Sequence, residues 1–256
     1  MSRGLRAVTV GLLLAALLAC ESRGSPPART LEAFRGPPSS FEANRGQTDP
    51  RVHFLARGSG HTVFLTASEA VFVLTEPDST GLVLRMTFVG ANSRPRVVGL
   101  EELPGKANYF VGRDSTQWHT NVPLYARVQY SRLYPGIDLR YAAEQRHLEY
   151  EFLVHAGADP TPIVLDWRGA DSVVVDAGGD LVLHTAVGVA RLQKPVISQD
   201  VGARHAVPRR KIAGGYVRTA AHQVRFEVAA HDASRPLVIS GTVPLALLPT
   251  QLSVTR

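Results

Sequence analysis

Apolar and polar residues alternate along much of the chain after its N-terminal segment. In residues 147–154 the apolar side chains include Tyr150, Phe152 and Val154, and the intervening positions are mostly polar. Successive side chains of a β-strand point to opposite faces of a sheet, so this alternation predicts a strand with one buried face. Residues 82–88 repeat the pattern.

Shorter strand-like runs are separated by turns that contain glycine or proline. Three pairs of runs have the spacing of β-hairpins: residues 52–56 with 62–65, 69–74 with 82–89, and 172–175 with 181–184. Turn signals recur about every 8 to 12 residues toward the C-terminus, which is typical of sandwiches and barrels. The sequence therefore predicts an all-β fold with very little helix: an antiparallel β-sandwich, either one large sandwich or two that abut.

The middle of the chain is the least strand-like part. Residues 103–106 (Leu-Pro-Gly-Lys) predict a turn. Asp114 is placed to cap a single helical turn that ends at Trp118. Regular strand patterns return at residues 126–130 and 137–141.

Residues 1–19 have the pattern of a signal peptide. Two arginines precede residues 7–18, an apolar stretch too short to cross a bilayer of about 30 Å as a helix. The stretch ends in Leu-Leu-Ala-Cys at Cys20, which resembles the bacterial lipobox, although Leu18 is larger than the residue usual there. The resemblance implies that Cys20 becomes the lipidated N-terminus, and an ordinary cleavage site beside an incidental cysteine is the alternative.

Three further segments follow this anchor. Residues 20–40 are rich in Ser, Pro, Gly and Arg, which predicts a flexible tether. A β-rich extracytoplasmic domain is expected over residues 41–240, and a C-terminal strand or tail over 241–256. Glu21 replaces the aspartate that retains enteric lipoproteins in the inner membrane. We therefore expect a lipid-anchored protein of the cell envelope, in the outer membrane, facing either the periplasm or the outside.

The composition excludes some kinds of site and partner but does not assign a function. Cys20 is the only cysteine, so the chain forms neither an internal disulfide nor a cysteine-based metal site. The formal net charge is +6, yet the basic residues are scattered and only Arg209-Arg210-Lys211 forms a run. Nucleic-acid binding usually needs clustered positive charge with aromatic platforms, so we expect no nucleic-acid partner.

Sequence motifs of the common enzyme classes are missing. The chain has no Gly-x-Ser-x-Gly elbow, no Gly-x-Gly-x-x-Gly loop and no Walker loop. Its nine histidines are spread from His53 to His231 without the close pairs typical of zinc sites. We therefore expect no catalytic residues, no metal site and no cofactor.

Six segments share an order along the chain with one known family. They are residues 41–47 (FEANRGQ), 103–112 (LPGKANYFVG), 118–123 (WHTNVP), 134–139 (YPGIDL), 148–152 (LEYEF) and 234–239 (SRPLVI). The ordered set resembles the N-terminal domain of bacterial surface proteins that carry SBBP (β-propeller) repeats. The resemblance implies an extracytoplasmic β-rich domain of unknown biochemical activity and brings no catalytic residues. In relatives the last segment leads into Asp-Pro and further modules, whereas here Ser-Gly-Thr follows.

An acidic stripe is the first candidate ligand site. If Tyr150 and Phe152 face the core, Glu149 and Glu151 share the opposite face, about 6.5–7 Å apart. Asp138 on the preceding strand is placed to join them. Such carboxylates can bind a sugar or Ca²⁺, or hydrolyse a glycoside. The alternative is a solvated strand face that neighbouring arginines neutralise.

The two tryptophans are the second candidate, because exposed aromatic rings can stack on sugars. Trp167 alternates with apolar neighbours and is expected in the core. Trp118 lies in a loop-like stretch, where both core and ligand-binding roles stay open. The favoured function is a non-enzymatic envelope module with a structural, adhesive or interaction role and an envelope protein or glycan as partner. The alternative is a β-sandwich that binds or processes carbohydrate through Asp138, Glu149, Glu151 and an exposed tryptophan.

Overall fold

The computed structural model describes residues 40–75, 81–144, 146–200 and 209–248. Within these ranges the chain consists of strands, turns and one 3₁₀ helix at Ser115–Gln117. The predicted signal peptide, the anchor at Cys20 and almost all of the tether lie outside the described residues. The described ranges contain no helix with the length and apolar character needed to cross a membrane.

Eighteen strands follow one another in the described residues. They are β1 (Phe41–Ala43), β2 (Val52–Gly58), β3 (His61–Thr66), β4 (Glu69–Leu74), β5 (Leu82–Val89), β6 (Arg96–Tyr109), β7 (His119–Tyr134), β8 (Ile137–Ala143), β9 (His147–Val154), β10 (Val164–Arg168), β11 (Ser172–Val175), β12 (Leu181–Thr185), β13 (Gly188–Leu192), β14 (Val196–Asp200), β15 (Arg209–Ile212), β16 (Gly214–Arg218), β17 (Gln223–Val228) and β18 (Leu237–Pro244). The three predicted hairpins are confirmed, since β2 pairs with β3, β4 with β5, and β11 with β12.

Fifteen of these strands form one sheet. Its order is β15-β14-β18-β9-β8-β7-β1-β2-β3-β4-β5-β10-β17-β16, and β6 pairs only with β7. Strands β11, β12 and β13 form a separate three-stranded sheet. All of the strand pairs are antiparallel, which confirms the predicted antiparallel all-β fold.

The large sheet curls until its ends nearly meet. Strands β15 and β16 end the strand order, yet Ala213 alone separates them in sequence. Strands β14 and β16 also lie close together, because a Cβ atom on Gly214 would lie 2.5 Å from Ile197 Cδ1. The result is a large, nearly closed barrel rather than clearly the expected sandwich. The reason is that one chain segment changes partners at Ala213, pairing first with β14 and then with β17.

The barrel interior is filled by the buried faces of alternating strands. Phe152 on β9 lies 5.7 Å from Phe226 on β17, ring centre to ring centre, so opposite parts of the barrel meet in the core. Trp167 is fully buried and stacks on Phe72 at 6.2 Å, which confirms its predicted place in the core. The Tyr134 hydroxyl donates across the core to the backbone carbonyl of Val89 at 3.2 Å.

The longest strands, β6 and β7, lie in the region that the sequence marks as irregular. The predicted turn at residues 103–106 is wrong, because these residues lie inside β6. Pro104 lacks a backbone N–H, and β6 tolerates it because this edge strand pairs with β7 alone. A register irregularity between Glu102 and Lys106 accommodates the proline.

Strand β18 continues past residue 240, the predicted end of the β-rich domain. Residue 240 lies inside β18, which pairs with β9 as far as Pro244. Leu248 then exchanges two backbone hydrogen bonds of 2.9 Å with Val189. The described part of the predicted C-terminal strand or tail therefore contains the end of β18 and a bridge to β13, and residues 249–256 lie outside the described ranges.

Candidate functional site at the end of the β6–β7 hairpin

Three sequence segments meet at the end of the β6–β7 hairpin, and one of them is far from the other two in sequence. They are residues 41–47, 103–112 and 118–123, the first three of the six segments that carry the family resemblance. Strand β1 pairs with β7, and the turn that follows β1 reaches back to the hairpin. A Cβ atom on Gly46 would lie 2.8 Å from His119 Cε1, and the φ angle of Gly46 is +110°. Only glycine fits this close approach without strain.

The turn after β1 is held by side-chain to backbone hydrogen bonds. Asn44 Nδ2 donates to the carbonyls of Asp49 at 2.8 Å and Val52 at 2.9 Å, while Asn44 Oδ1 accepts from Gly46 N at 3.0 Å. Gln47 Nε2 donates to the carbonyl of Ala43 at 2.8 Å. These bonds give the turn one defined shape, so the side chains that it presents are positioned in advance.

Tyr109 fastens the hairpin to the barrel. Its hydroxyl donates a hydrogen bond to Glu42 on β1, and the guanidinium carbon of Arg57 on β2 lies 5.3 Å from the centre of its ring. Arg57 Nε is also 3.9 Å from Glu42 Oε1. Burial and the Glu42 contact together raise the pKa of Tyr109 to about 12. The hydroxyl therefore stays protonated and donating at physiological pH.

The hairpin backbone departs from regular strand geometry near this site. Glu101 and Asn121 adopt φ angles of +57° and +58°, in the left-handed region that few residues other than glycine enter. Asn108 Oδ1 accepts a hydrogen bond of 2.9 Å from Asn121 N, which supports this conformation. Irregular backbone of this kind is concentrated at functional sites, because it re-aims side chains.

The loop between the two strands is ordered by local bonds. Asp114 Oδ1 accepts from Thr116 N at 2.9 Å and caps the 3₁₀ helix, which confirms the predicted cap. The rings of Phe110 and Trp118 pack edge to face, with centres 5.2 Å apart. Trp118 Nε1 donates to the Gly112 carbonyl at 3.4 Å. Trp118 is 39% exposed, so its ring lies at the surface and not in the core.

An open cleft of about 600 Å³ lies at the junction of these elements. Its lining is mostly polar and comprises Arg45, Glu102, Lys106, Trp118, His119, Thr120, Asn121, Pro123 and Tyr125. Lys106 and Glu102 form an ion pair in the wall. The cleft thus offers hydrogen-bond donors and acceptors beside one large aromatic ring, a combination suited to binding.

Among the described lining residues of the cleft, no hydrogen bond joins a hydroxyl group to a basic side chain. Across the described ranges, no group of three His, Cys, Asp or Glu side chains is placed to hold a metal ion.

The acidic stripe lies elsewhere on the barrel. The burial pattern of β9 confirms that Glu149 and Glu151 share the outer face. They line a separate groove of about 220 Å³ together with Lys194, Ser240 and Thr242. Glu149 and Glu151 therefore line a different cavity from Trp118, so the structure does not bring together all of the residues that the sequence proposes as one site.

The Asp138 side chain forms hydrogen bonds within the barrel. Its Oδ1 accepts a hydrogen bond of 2.7 Å from Arg132 N, and its Oδ2 lies 3.3 Å from His155 Nε2. Arg132 has a φ angle of +55° and lies where the β7–β8 register shifts between Tyr130 and Tyr134. The Asp138 carboxylate thus stabilises a bulge in β7.

Sequence reasoning on single motifs misses most of the cleft. Arg45, Tyr109 and Asn121 carry no enzyme or metal signature, and only their membership in the resembling segments marks them. Their meeting depends on pairing between β1 and β7, which are about 80 residues apart. No local pattern reports such a pairing.

Comparison with known protein families shows which family the chain belongs to, and comparison with individual proteins adds nothing to it. The chain has no significant match among curated proteins or among solved structures. A family model described as a domain of unknown function matches residues 41–240. That range includes the barrel from β1 to the middle of β18, together with the whole cleft. The chain therefore belongs to the family of the domain of unknown function DUF7948.

Proposed function

We propose that the protein is a non-enzymatic interaction module of the bacterial cell envelope, which binds its partner through the cleft at the end of the β6–β7 hairpin. The observation that carries the proposal is the meeting there of residues 41–47, 103–112 and 118–123 around one open, polar cleft. The described lining residues offer binding groups without a catalytic pair. Side chains held in place before binding lose little conformational entropy on binding.

The envelope location rests on the N-terminal sequence. Residues 1–19 have the pattern of an export signal, and Cys20 stands where a lipobox cysteine receives its lipid. The tether of residues 20–40 would link this anchor to β1, and Glu21 favours the outer membrane. Detergent partitioning tests the anchor: the wild type should enter the detergent phase, and Cys20→Ala should stay in the aqueous phase. Identical partitioning of the two would remove the anchor from the proposal.

The barrel serves as a rigid scaffold in this proposal. We propose that it is flattened into two facing layers, and so works as one large sandwich. Contacts of Phe152 with Phe226 and of Tyr130 with Phe88 support this, because they join β9 to β17 and β7 to β5 across the core. The resemblance to the N-terminal domain of SBBP repeat proteins supports a surface role, since such domains are extracytoplasmic.

Binding of the purified chain to isolated cell envelopes tests the proposed function. We expect saturable binding that Arg45→Ala and Trp118→Ala each weaken by about tenfold, the loss expected when a side chain worth about 1.4 kcal/mol is removed. Arg94→Ala and Val174→Ala are the matched controls, because both side chains are exposed and lie outside the cleft. Equal binding by cleft and control variants would refute the proposal.

Carbohydrate binding is the second candidate. The observation that favours it is the exposed ring of Trp118 beside the polar groups of Thr120 and Asn121 in one cleft. Sugars commonly stack on such a ring and hydrogen bond to such groups. A glycan array tests this: Trp118→Phe should retain part of any signal and Trp118→Ala should lose it. Absence of a saturable signal from the wild type would exclude glycans on the array as partners.

A further inference from the structure

The end of the β6–β7 hairpin exposes an apolar group, which we name the aromatic tip: Phe110, Val111 and Trp118. Phe110 is 63% exposed and Val111 is 69% exposed, the two highest values for large apolar side chains in the described residues. Trp118 packs edge to face on Phe110, and the exposed Val111 is the next residue along the chain. Clustered apolar exposure of this kind indicates a contact surface.

We propose that the aromatic tip docks on the surface of a lipid bilayer. The proposal rests on the proposed function, because it assigns the class of partner that the hairpin end contacts. Rings of Trp and Phe beside Arg and Lys are typical of segments that lie at a membrane–water interface. Docking would place the apolar side chains at the boundary of headgroups and acyl chains and leave the polar cleft facing water.

The shape of the tip favours a bilayer over a protein partner. The tip is the end of a ribbon, since β1 pairs with β7 only at Tyr125 and Leu124. The β7 residues from Leu124 to His119 continue for about 16 Å past that pairing, with β6 as their described partner strand. The turn after β1 supports them at His119, so the loop of residues 110–118 forms the outer end of the hairpin. A protein would need a groove to enclose such a projecting tip, whereas a bilayer receives projecting side chains directly.

Charges around the aromatic tip suit an anionic lipid surface. Arg113 adjoins the tip, and Arg45 and Lys106 line the cleft behind it. Glu102 pairs with Lys106, and Asp114 is engaged in capping the 3₁₀ helix. The hydrogen bonds from Thr116 lower the pKa of Asp114, so this exposed carboxylate is charged and offsets Arg113. Arg45 therefore supplies the excess positive charge at the hairpin end, which favours contact with anionic headgroups.

The chain outside the described residues is long enough for this arrangement. Phe41 follows Cys20 by 21 residues. An extended chain of that length spans at most about 70 Å, several times the length of the projecting ribbon. The bilayer that would hold a lipid on Cys20 is therefore within reach of the aromatic tip, and a second contact would strengthen a single lipid anchor.

The tip is ordered before docking. Asp114 caps the 3₁₀ helix, and Trp118 Nε1 donates to the Gly112 carbonyl. The loop therefore keeps Phe110 and Trp118 together, and membrane contact need not order it. This distinguishes the tip from the exposed valines Val174 and Val187, which occupy the separate three-stranded sheet and its turn.

Vesicle binding tests the proposal. The protein used is the mature chain, which begins at residue 20 and carries Cys20→Ser so that it bears no lipid. It is mixed with vesicles of phosphatidylethanolamine and phosphatidylglycerol. Sedimentation should show binding that the double substitution F110S/V111S weakens by at least about tenfold, because two buried apolar side chains are lost. The matched control V174S/V187S should bind as the wild type does. Vesicles of phosphatidylcholine should bind less of every variant, because they lack anionic headgroups.

Tryptophan fluorescence gives an independent readout. The chain contains two tryptophans, and Trp167 is fully buried. Brominated lipids should therefore quench Trp118 alone, and Trp118→Phe should abolish the quenching. Absence of wild-type binding to vesicles, or equal binding by F110S/V111S and the control, would overturn the proposal. Envelope binding that is lost in Arg45→Ala while vesicles bind nothing would overturn it and leave the proposed function intact, with a protein or glycan as partner.

Discussion

Strand β9 with its neighbours β8 and β18, which we call the β9 wall, and the β6–β7 hairpin both consist of antiparallel strands. They differ in the regularity of their pairing and burial. In β9 every second side chain is buried, and the strand pairs without irregularity with β8 on one side and β18 on the other. The β6–β7 hairpin has two register irregularities, three non-glycine residues with positive φ and a proline in each strand. Its end exposes aromatic side chains to water.

The difference supports the proposal that the hairpin, rather than β9, carries the binding site. Regular alternation maximises apolar burial, and the outer face that it leaves needs only to be soluble. The hairpin gives up regular hydrogen bonding and burial at several positions, which lowers stability there. Departures from regular strand geometry are expected where a functional site imposes its own geometry, which agrees with the proposed binding role of the cleft beside Trp118.

Truncation of a buried side chain in the β9 wall should destabilise the protein far more than truncation at the hairpin end. Phe152→Ala removes a ring that contacts both Tyr150 and Phe226, and should lower the free energy of unfolding by about 3–5 kcal/mol. Phe110→Ala removes a ring that is mostly in water, and should change it by about 0.5 kcal/mol or less. Urea unfolding followed by circular dichroism measures both. Comparable losses in the two variants would mean that the hairpin end is part of the core.

Local rules explain why the sequence predicts the wall so well. The alternation of residues 147–154 and the capping by Asp114 depend on neighbours within a few positions, and both are confirmed. The turn expected at residues 103–106 is wrong because Pro104 and Gly105 usually end strands, and the edge position of β6 overrides that preference.

Pairing between residues far apart in sequence explains the features that the sequence does not predict. Closure of the barrel depends on Ala213, where one segment leaves β14 and joins β17. The contact between Glu42 and Tyr109 joins residues 67 positions apart. Hydrophobic periodicity does not encode either event, so the sequence predicts strands and faces but neither the closure nor the cleft.

Removal of the hydrogen bond between Tyr109 and Glu42, which links the hairpin to the barrel, should lower the free energy of unfolding measurably. Tyr109→Phe deletes the hydroxyl that donates to Glu42, and should lower the free energy of unfolding by about 1 kcal/mol, since the group is only half-buried. Tyr125→Phe is the matched control, because its ring rather than its hydroxyl packs on Phe54. Equal losses in the two variants would show that the Glu42 contact does not hold the hairpin.

The same link should depend on pH. Burial and the Glu42 contact raise the pKa of Tyr109 from its usual 10 to about 12. The folded state then holds the proton more tightly than the unfolded state, so the contribution is complete below pH 10 and lost as the pH rises toward 12. The difference in urea midpoint between wild type and Tyr109→Phe should therefore shrink above pH 10. A difference that grows there would contradict the assigned bond.

Substitution by glycine should stabilise the protein at a strained position of the hairpin and destabilise it at an ordinary strand position. Glu101 has a φ angle of +57°, so Glu101→Gly should raise the free energy of unfolding by about 0.5–1 kcal/mol. Its neighbour Glu102 is not in the left-handed region, so Glu102→Gly should lower stability by a similar amount. Thermal unfolding of both variants measures the contrast. Destabilisation by both would mean that Glu101 is not strained.

The smallest effects are expected on the acidic outer face of the wall. Glu149 and Glu151 point away from the core, and Glu151 lies opposite Arg140 on β8. Exposed charges of this kind contribute little, so Glu149→Ala and Glu151→Ala should each change the free energy of unfolding by about 0.5 kcal/mol or less. Envelope binding should also be unchanged, because the cleft contains neither residue. Loss of binding in either variant, with stability intact, would move the functional surface from the irregular hairpin to the regular wall. It would also show that alternation alone had concealed a binding face.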